Sequence, residues 1–299
     1  MLLLLYYSPT PENANESVRF IINEVPFGWL VRSIHNWSSH LMVATVFIHF
    51  FSTYFMKAYR KPREIMWVSG VLLLFIVLGF GFTGYLLPWD TTAYFATQIG
   101  TEVPKTVPVL GELIVNVLRG GEFVAENSLK RLFALHVTVL PMISLVVIFF
   151  HLLLNQLHGT SIPIGTVLEK KSIPFYPNYL FRDLIAWLTG ILMLVSLAIV
   201  FPVQLGMKAD PLASAPLGIR PEWYFLTLYQ TLRMVPSTLF GLNGEMVVNM
   251  MVGLVGILLL LLPFLDRRAK AEIESPVFKF IGFVGLGYML VTITLAYLT

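Results

Sequence analysis

Residues 33–56, SIHNWSSHLMVATVFIHFFSTYFM, form a mostly apolar run that contains His35, His40 and His49. A helix needs roughly 20 residues to cross a hydrocarbon core, so this run is long enough to span a membrane. His35 and His49 are fourteen residues apart. That interval returns both side chains to nearly the same helix face, roughly 21 Å apart along the axis. The run therefore predicts a membrane helix that presents one imidazole at each of two depths.

A second run, at about 130–155, repeats the pattern with His136 and His151, which are fifteen residues apart. One span lies between the two runs, so both cross in the same direction and can offer two opposed histidine pairs. Isolated histidines satisfied by hydrogen bonds are the alternative, but ionisable groups inside a membrane are costly and usually functional. His40 falls about 140° away from the His35 face and is interpreted as an ordinary packed or interfacial residue.

Opposed imidazoles inside a helix bundle favour haem as the group that these histidines bind. Imidazole is a strong axial ligand of haem iron, and an iron held by two histidines has no open position, which suits electron transfer. The sequence has no cysteine, which excludes thiolate metal sites, thioether attachment of haem and disulfides within it. A proton relay would need carboxylates on the same spans, and the sequence places none there. The pattern therefore predicts two b-type haems.

Composition makes an integral membrane protein the expected class. Hydrophobic residues make up 57% and charged residues 12% of the 299 residues, whereas soluble domains are about half apolar and a quarter charged. The net charge of +3 gives no indication of nucleic-acid binding. We expect an all-α, polytopic transmembrane bundle with spans at 33–56, 66–88, 130–155, 179–202, 246–265 and 276–298.

A loop rich in proline and glycine divides the chain into two helical blocks. We predict a cofactor-binding bundle at 1–158, a linker at 159–174 and a three-helix carboxy-terminal domain at 175–299. Two long loops, at 89–129 and 203–245, are predicted on one side of the membrane, and loops of this length are often functional. Basic residues crowd the alternate loops and predict the cytoplasmic side: Lys57, Arg60, Lys61, Arg63, Lys170, Lys171, Arg267 and Arg268.

Two glycines on the second span share the repeat of the histidines. Gly70 and Gly84 are also fourteen residues apart, and a helix that passes the edge of two haems benefits from having no side chain at those levels. Ordinary packing of small residues between helices is the alternative. Gly79 and Gly81 fit that alternative better.

Six stretches, in this order and spacing, carry a resemblance to a known family: FGWLVRSIHNWSSHLMV, KPREIMWVSGV, TGYLLPWD, LHVTVLPM, GIRPEWYFL and LRMVP. Over essentially its whole length, the chain resembles cytochrome b of the respiratory and photosynthetic bc complexes. The resemblance implies a dihaem four-helix bundle followed by three carboxy-terminal helices. The first helix of that bundle is mostly missing, because residues 1–10 resemble only its last turns. We therefore expect the reading frame to extend upstream.

The resemblance implies which histidines share a haem. His35 and His136 would hold the low-potential haem near the non-cytoplasmic side, and His49 and His151 would hold the high-potential haem near the cytoplasm. Arg32 matches an arginine that pairs with a haem propionate in the family; a cation reaching from the helix end to the interface is its alternative. The fifteen-residue interval is similar to the photosynthetic type, although that type has two polypeptides where this chain is fused.

A quinol-oxidation site is implied by Pro221, Glu222, Trp223 and Tyr224, the PEWY motif. In the family the glutamate is thought to take a proton from quinol, and desolvation raises the pKa of such a carboxyl toward neutrality. A surface acid beside Arg220 is the alternative for Glu222. Tyr224 and Tyr94 would line the same pocket.

The quinone-reducing site is less defined in this sequence. Asp183 matches an acid that protonates bound quinone in the respiratory type. Gln156 stands where that type has a histidine, which weakens the match.

The implied function is quinol oxidation with proton translocation, in a prokaryotic cytoplasmic membrane. The implied partners are a Rieske iron-sulfur protein, a cytochrome c-type subunit, a membrane quinone and a second copy of the complex. Two alternatives remain open. One is the dihaem anchor of a hydrogenase or formate dehydrogenase, which needs neither the PEWY loop nor the last three helices. The other is a transporter without redox function.

Overall fold

The computed structural model describes residues 2–166, 172–271 and 273–298. Part of the predicted linker, including Lys170 and Lys171, lies outside the described residues. In chain order the helices are α1 Leu2–Tyr6, α2 Ala14–Asn23, α3 Gly28–Phe55, α4 Glu64–Tyr85, α5 Thr91–Glu102, α6 Gly111–Arg119, α7 Glu126–Ala134, α8 Leu140–His158, α9 Leu180–Val200, α10 Leu226–Met234, α11 Gly244–Leu265, α12 Arg267–Lys270 and α13 Pro276–Leu298. A two-residue hairpin, β1 Thr238–Leu239 and β2 Leu242–Asn243, precedes α11.

Within the described ranges, five helical segments are long and apolar enough to cross a membrane: Glu64–Tyr85, Glu126–His158, Phe175–Val200, Gly244–Ala269 and Pro276–Leu298. They confirm five of the six predicted spans. The sixth prediction coincides with α3, which has 28 residues and is therefore long enough. The composition of α3 is not apolar enough for it to be included among these membrane-spanning segments, because the helix carries Arg32, three histidines and other polar side chains.

A π-helical turn joins α7 to α8 within the longest span. The turn covers Leu135–Val139, and the backbone N–H of Leu140 bonds to the carbonyl of Leu135. Pro141 follows at the start of α8 and has no N–H for the usual helical bond. Such wide turns occur in otherwise regular helices and are frequent at functional sites. His136 lies inside this one.

The two long loops lie together at one end of the bundle. Asp90 and Lys208 form an isolated antiparallel bridge. Beside it, the Thr91 amide donates to the Met207 carbonyl at 2.9 Å and the Ala209 amide to the Trp89 carbonyl at 3.0 Å. The segments before α5 and after α9 are therefore joined by backbone hydrogen bonds, as expected for loops on one side of a membrane.

The basic loops meet at the opposite end. Lys57 Nζ lies 3.5 Å from Asp266 Oδ2, between the loops after α3 and α11. Arg60 donates to Ser161 Oγ at 3.0 Å, and Arg63 donates to the carbonyl of His158 at 2.9 Å. The described residues thus place loops after α3, α8 and α11 on one side, in agreement with the predicted alternation.

The helix that carries His35 and His49 packs mainly against α9, and α4 packs against α8 and α11. Ser33 Oγ donates to the Ala198 carbonyl, and Trp37 Nε1 donates to the Phe201 carbonyl, both at 2.9 Å. At the other end of α4, Trp67 Nε1 donates to the carbonyl of Leu259 at 2.7 Å. These polar contacts join α3 to the end of α9 and α4 to α11, and α4 also contacts α3 and packs against α8, which carries His151.

Candidate functional site

The rings of His35 and His136 face each other across the bundle. Their centroids are 6.2 Å apart and their planes are nearly perpendicular, at 85°. Bonds between a metal and an imidazole nitrogen are about 2.0 Å long, so two rings on opposite sides of one metal ion have centres roughly 6 Å apart. The spacing of this pair therefore fits two axial ligands of one iron.

The second pair, His49 and His151, lies further along the same helices, fourteen residues after His35 and fifteen residues after His136. His151 Nδ1 is 2.9 Å from Ser69 Oγ on α4, and the ring interacts electrostatically with His49. Both rings retain accessible surface: His49 is exposed and His151 is half-buried. The four histidines thus form two groups at two depths, as the sequence predicts.

Hydroxyl groups on α4 determine which ring nitrogen of two of these histidines is free. Thr83 Oγ1 lies 3.2 Å from His136 Nδ1, and Ser69 Oγ lies 2.9 Å from His151 Nδ1 at the other depth. Each hydroxyl already donates its own hydrogen to a carbonyl in the preceding turn, at 2.8 Å. The oxygens must then accept from Nδ1–H, since a hydroxyl has one donor hydrogen. The lone pair of Nε2 is left for a metal, an arrangement that also orients the ring.

Gly84 and Gly70 follow these hydroxyl residues directly and lie against the same rings. A methyl group at Gly84 would lie 2.6 Å from His136 Cε1, and one at Gly70 would lie 3.2 Å from His151 Cε1. The first distance is shorter than any real contact, so no side chain fits there unless the imidazole moves. Gly79 differs, because its added methyl group would meet Leu140 at 3.7 Å, which is ordinary packing.

The change Gly84→Leu should therefore displace the His136 ring. The haem that the sequence predicts at the His35 level should then be altered, while the haem predicted at the His49 level should stay intact. Gly79→Leu is the matched control on the same helix and should act through packing alone, at a modest cost in stability. A potentiometric titration of both variants distinguishes the two effects. Equal responses of the haem potentials in the two variants would contradict the assignment of Gly84.

Tyr224 of the PEWY segment reaches α4 one turn away from Gly84. A methyl group at Gly81 would lie 2.6 Å from the Tyr224 hydroxyl oxygen, and three residues rise about 4.5 Å along a helix. Gly81, interpreted from the sequence as a packing glycine, thus gives Tyr224 its place near the His136 level. Tyr85 was missed from the sequence, although it lies close enough to interact electrostatically with Tyr224 and Glu222.

Glu222 is half-buried and lies beside His40. The distance from Glu222 Oε2 to His40 Nδ1 is 4.0 Å, and Trp223 Nε1 donates to the same His40 nitrogen at 3.2 Å. Burial raises the pKa of the Glu222 carboxyl, and the nearby His40 offsets part of that rise. His40 points away from the two histidine pairs, as predicted. Its position beside the PEWY segment was not predicted from the sequence.

Four further predicted site residues lie outside the histidine pairs. Arg32 donates to the carbonyls of Val203 at 2.6 Å and Gln204 at 3.2 Å, so it tethers the loop after α9. Tyr94 is 4% exposed, packs in the core of the long-loop region and donates to the Val124 carbonyl at 3.2 Å. Asp183 is exposed in the first turn of α9, where a carboxylate favours the helix N-terminus. Pro221 is half-buried beside Glu222.

Comparison with known families gives two matches that together leave out residues 161–207, which include the predicted linker and α9. A family model described as cytochrome b/b6/petB matches residues 1–160. A second, described as cytochrome b(C-terminal)/b6/petD, matches residues 208–299. The first contains all four haem-level histidines, and the second contains the PEWY segment.

Individual relatives agree. The chain is 50% identical over 294 residues to the cytochrome b subunit of a cytochrome bc complex from Chlorobaculum thiosulfatiphilum, covering 97% of this chain and 68% of the relative. It is 45% identical over 159 residues to cytochrome b6 of Gloeobacter violaceus, covering 53% of this chain and 74% of that protein. A solved structure titled hyperthermophilic respiratory Complex III matches with a TM-score of 0.78 and 28% identity, covering 98% of this chain and 85% of that chain. The chain therefore belongs to the cytochrome b family, as the cytochrome b subunit of a cytochrome bc complex, an electron-transferring membrane oxidoreductase that binds haem.

Proposed function

We propose that this subunit oxidises membrane quinol at a site built around Glu222 and Tyr224, and that His35 with His136 and His49 with His151 hold two b haems. The family membership sets aside the hydrogenase-type anchor and the transporter. The finer proposal rests on one observation above all. The PEWY segment reaches α4 within one helical turn of the glycine that faces His136.

The proton chemistry of the site follows from where Glu222 lies. Oxidation of a quinol to a quinone releases two electrons and two protons. Burial raises the pKa of the half-buried Glu222 carboxyl, so this pKa is closer to neutral pH than that of a solvated acid. Such a carboxyl is suited to accept a proton and pass it on. Tyr224, held against Gly81, can donate a hydrogen bond to a quinol oxygen and orient the ring.

The paired histidines provide the electron route in this proposal. When bound, two b haems supply one-electron carriers at two depths, so one quinol electron can cross the membrane to a quinone. Ser69 and Thr83 keep His151 and His136 in the form that offers Nε2 to iron. In this proposal the four histidines thus determine the depth of each haem in the membrane.

Several parts of the proposal concern groups outside this chain. The second quinol electron goes to a Rieske iron-sulfur partner, and a cytochrome c-type subunit accepts it from there. The complex forms a dimer in the cytoplasmic membrane of a prokaryote and translocates protons. Arg32 retains N–H donors beyond its two loop contacts and pairs with a haem propionate. Asp183 protonates quinone at the opposite end from Glu222.

An optical spectrum of the purified complex, reduced minus oxidised, tests the cofactor part of the proposal. We expect two b-type haems per chain that titrate at different potentials, together with a copurifying Rieske subunit. The spectrum of a single haem, or of none, would refute the two-pair assignment. Purification of two haems with a hydrogenase or dehydrogenase subunit in place of a Rieske protein would refute quinol oxidation at this site.

A further inference from the structure

His40 is a titratable side chain that the paired-histidine arrangement does not use. It lies on α3, five residues after His35, on a face that points to the PEWY segment. Its Nδ1 is 3.2 Å from Trp223 Nε1 and 4.0 Å from Glu222 Oε2. The side chains of His40 and Glu222 are each 24% exposed, so both keep some accessible surface in a largely buried position.

The contact with Trp223 fixes the resting protonation of His40. An indole nitrogen can only donate, so Nδ1 must accept and therefore carries no proton. The single proton of the neutral imidazole is then on Nε2. His40 is thus a neutral base whose Nδ1, occupied at rest by the Trp223 N–H, lies 4.0 Å from Glu222 Oε2. A small rotation of either side chain or one intervening water closes that distance.

Electrostatics favour transfer of a proton from Glu222 to His40. The phenols of Tyr85 on α4 and of Tyr224 also lie within electrostatic range of Glu222. Among the described residues, the His40 imidazole is the ionisable base that forms a short-range pair with this carboxylate. A proton on His40 beside an ionised Glu222 gives an attractive pair of charges, which lowers the cost of moving the proton off the carboxyl.

We propose that His40 accepts the proton that Glu222 takes from quinol and delivers it to water, an inference that rests on the proposed role of Glu222. The O–H bond of the Glu222 carboxyl breaks and an N–H bond forms at His40 Nδ1, with no change in electron count. The Trp223 N–H gives up its contact with Nδ1 as this proton arrives. The imidazolium then loses its Nδ1 proton to water and Nδ1 accepts from Trp223 again, so Trp223 is a positioning residue for this step.

The test is the pH profile of steady-state quinol oxidation by the intact complex with the variant His40→Gln. Glutamine cannot accept a proton, so the variant should be about 10- to 100-fold slower, and the shape of its pH profile should differ from that of the wild type. His158→Gln, a change to a histidine at the opposite end of the bundle, is the matched control and should leave both features unchanged.

A double variant separates this inference from the proposed function. Because His40 acts through Glu222, His40→Gln combined with Glu222→Gln should be no slower than Glu222→Gln alone. Multiplied effects in the double variant, or a wild-type pH profile in His40→Gln, would overturn the relay while Glu222 keeps its role. Loss of a haem in His40→Gln would also overturn it. Wild-type rates in Glu222→Gln would overturn the role of Glu222 itself.

Discussion

Replacing His151 with leucine should remove one of the two proposed haems and leave the other in place. An iron with two histidine ligands loses half of its protein bonds when one imidazole is deleted, and leucine cannot replace them. The same haem should disappear in His49→Leu, since we assign both histidines to one iron. The b-type absorbance of each purified complex should fall by roughly half, and the remaining haem should titrate at its original potential.

The matched variants at the other level extend this test. His35→Leu and His136→Leu should both remove the other haem, so the four single variants should give two spectra and not four. His158→Leu should retain both haems, because its side chain lies beyond the haem levels. Different haems lost in His49→Leu and His151→Leu would refute the pairing.

Changing Glu222 to glutamine should slow quinol oxidation by about 10- to 10,000-fold, the usual range for loss of a positioned acid-base group. Glutamine keeps the shape and the hydrogen-bonding reach of the side chain but cannot accept the proton. Haem content and assembly should be unchanged. The measurement is the steady-state rate of quinol oxidation, normalised to haem; loss of haem would mean that Glu222 is structural.

The same residue should give the wild-type enzyme an acid limb in its pH profile. Burial raises the pKa of the Glu222 carboxyl above its ordinary value of 4.5. The ionised form accepts the proton, so activity present above the raised pKa should decline as the pH falls through it. This acid limb should be absent in Glu222→Gln. Its persistence there would assign the limb to another group.

Most of the helical architecture could be predicted from the sequence, because apolar runs of about 20 residues leave few alternatives inside a membrane. α13 begins at the predicted residue, and α4 begins two residues before its prediction. The two depths of His35 and His49 followed from the period of the helix. α3 was less apolar than its neighbours because the same polar residues that suggest the haem site reduce its hydropathy.

Contacts between distant parts of the chain could not be predicted. His40 and Trp223 are 183 residues apart in sequence, and nothing in either segment indicates that α3 and the PEWY segment meet. The contact of Gly81 with Tyr224 was missed for the same reason, since one glycine on a helix looks like another until its neighbour is known. Arg32 and Tyr94 were assigned from resemblance, whereas the loops that they contact decide their hydrogen bonds.

Because of the π-helical turn at Leu135–Val139, the number of residues between His136 and His151 does not by itself determine how their rings are oriented relative to each other. The interval is fourteen residues on α3 and fifteen on the longest span, and in uniform α-helices this extra residue would rotate one ring by about 100° relative to the other. A wide turn takes up about one residue without advancing the helix phase. Both helices can then direct their second imidazole at the same angle. The π-helical turn thus allows two helices with unequal residue intervals to present opposed imidazoles at both levels.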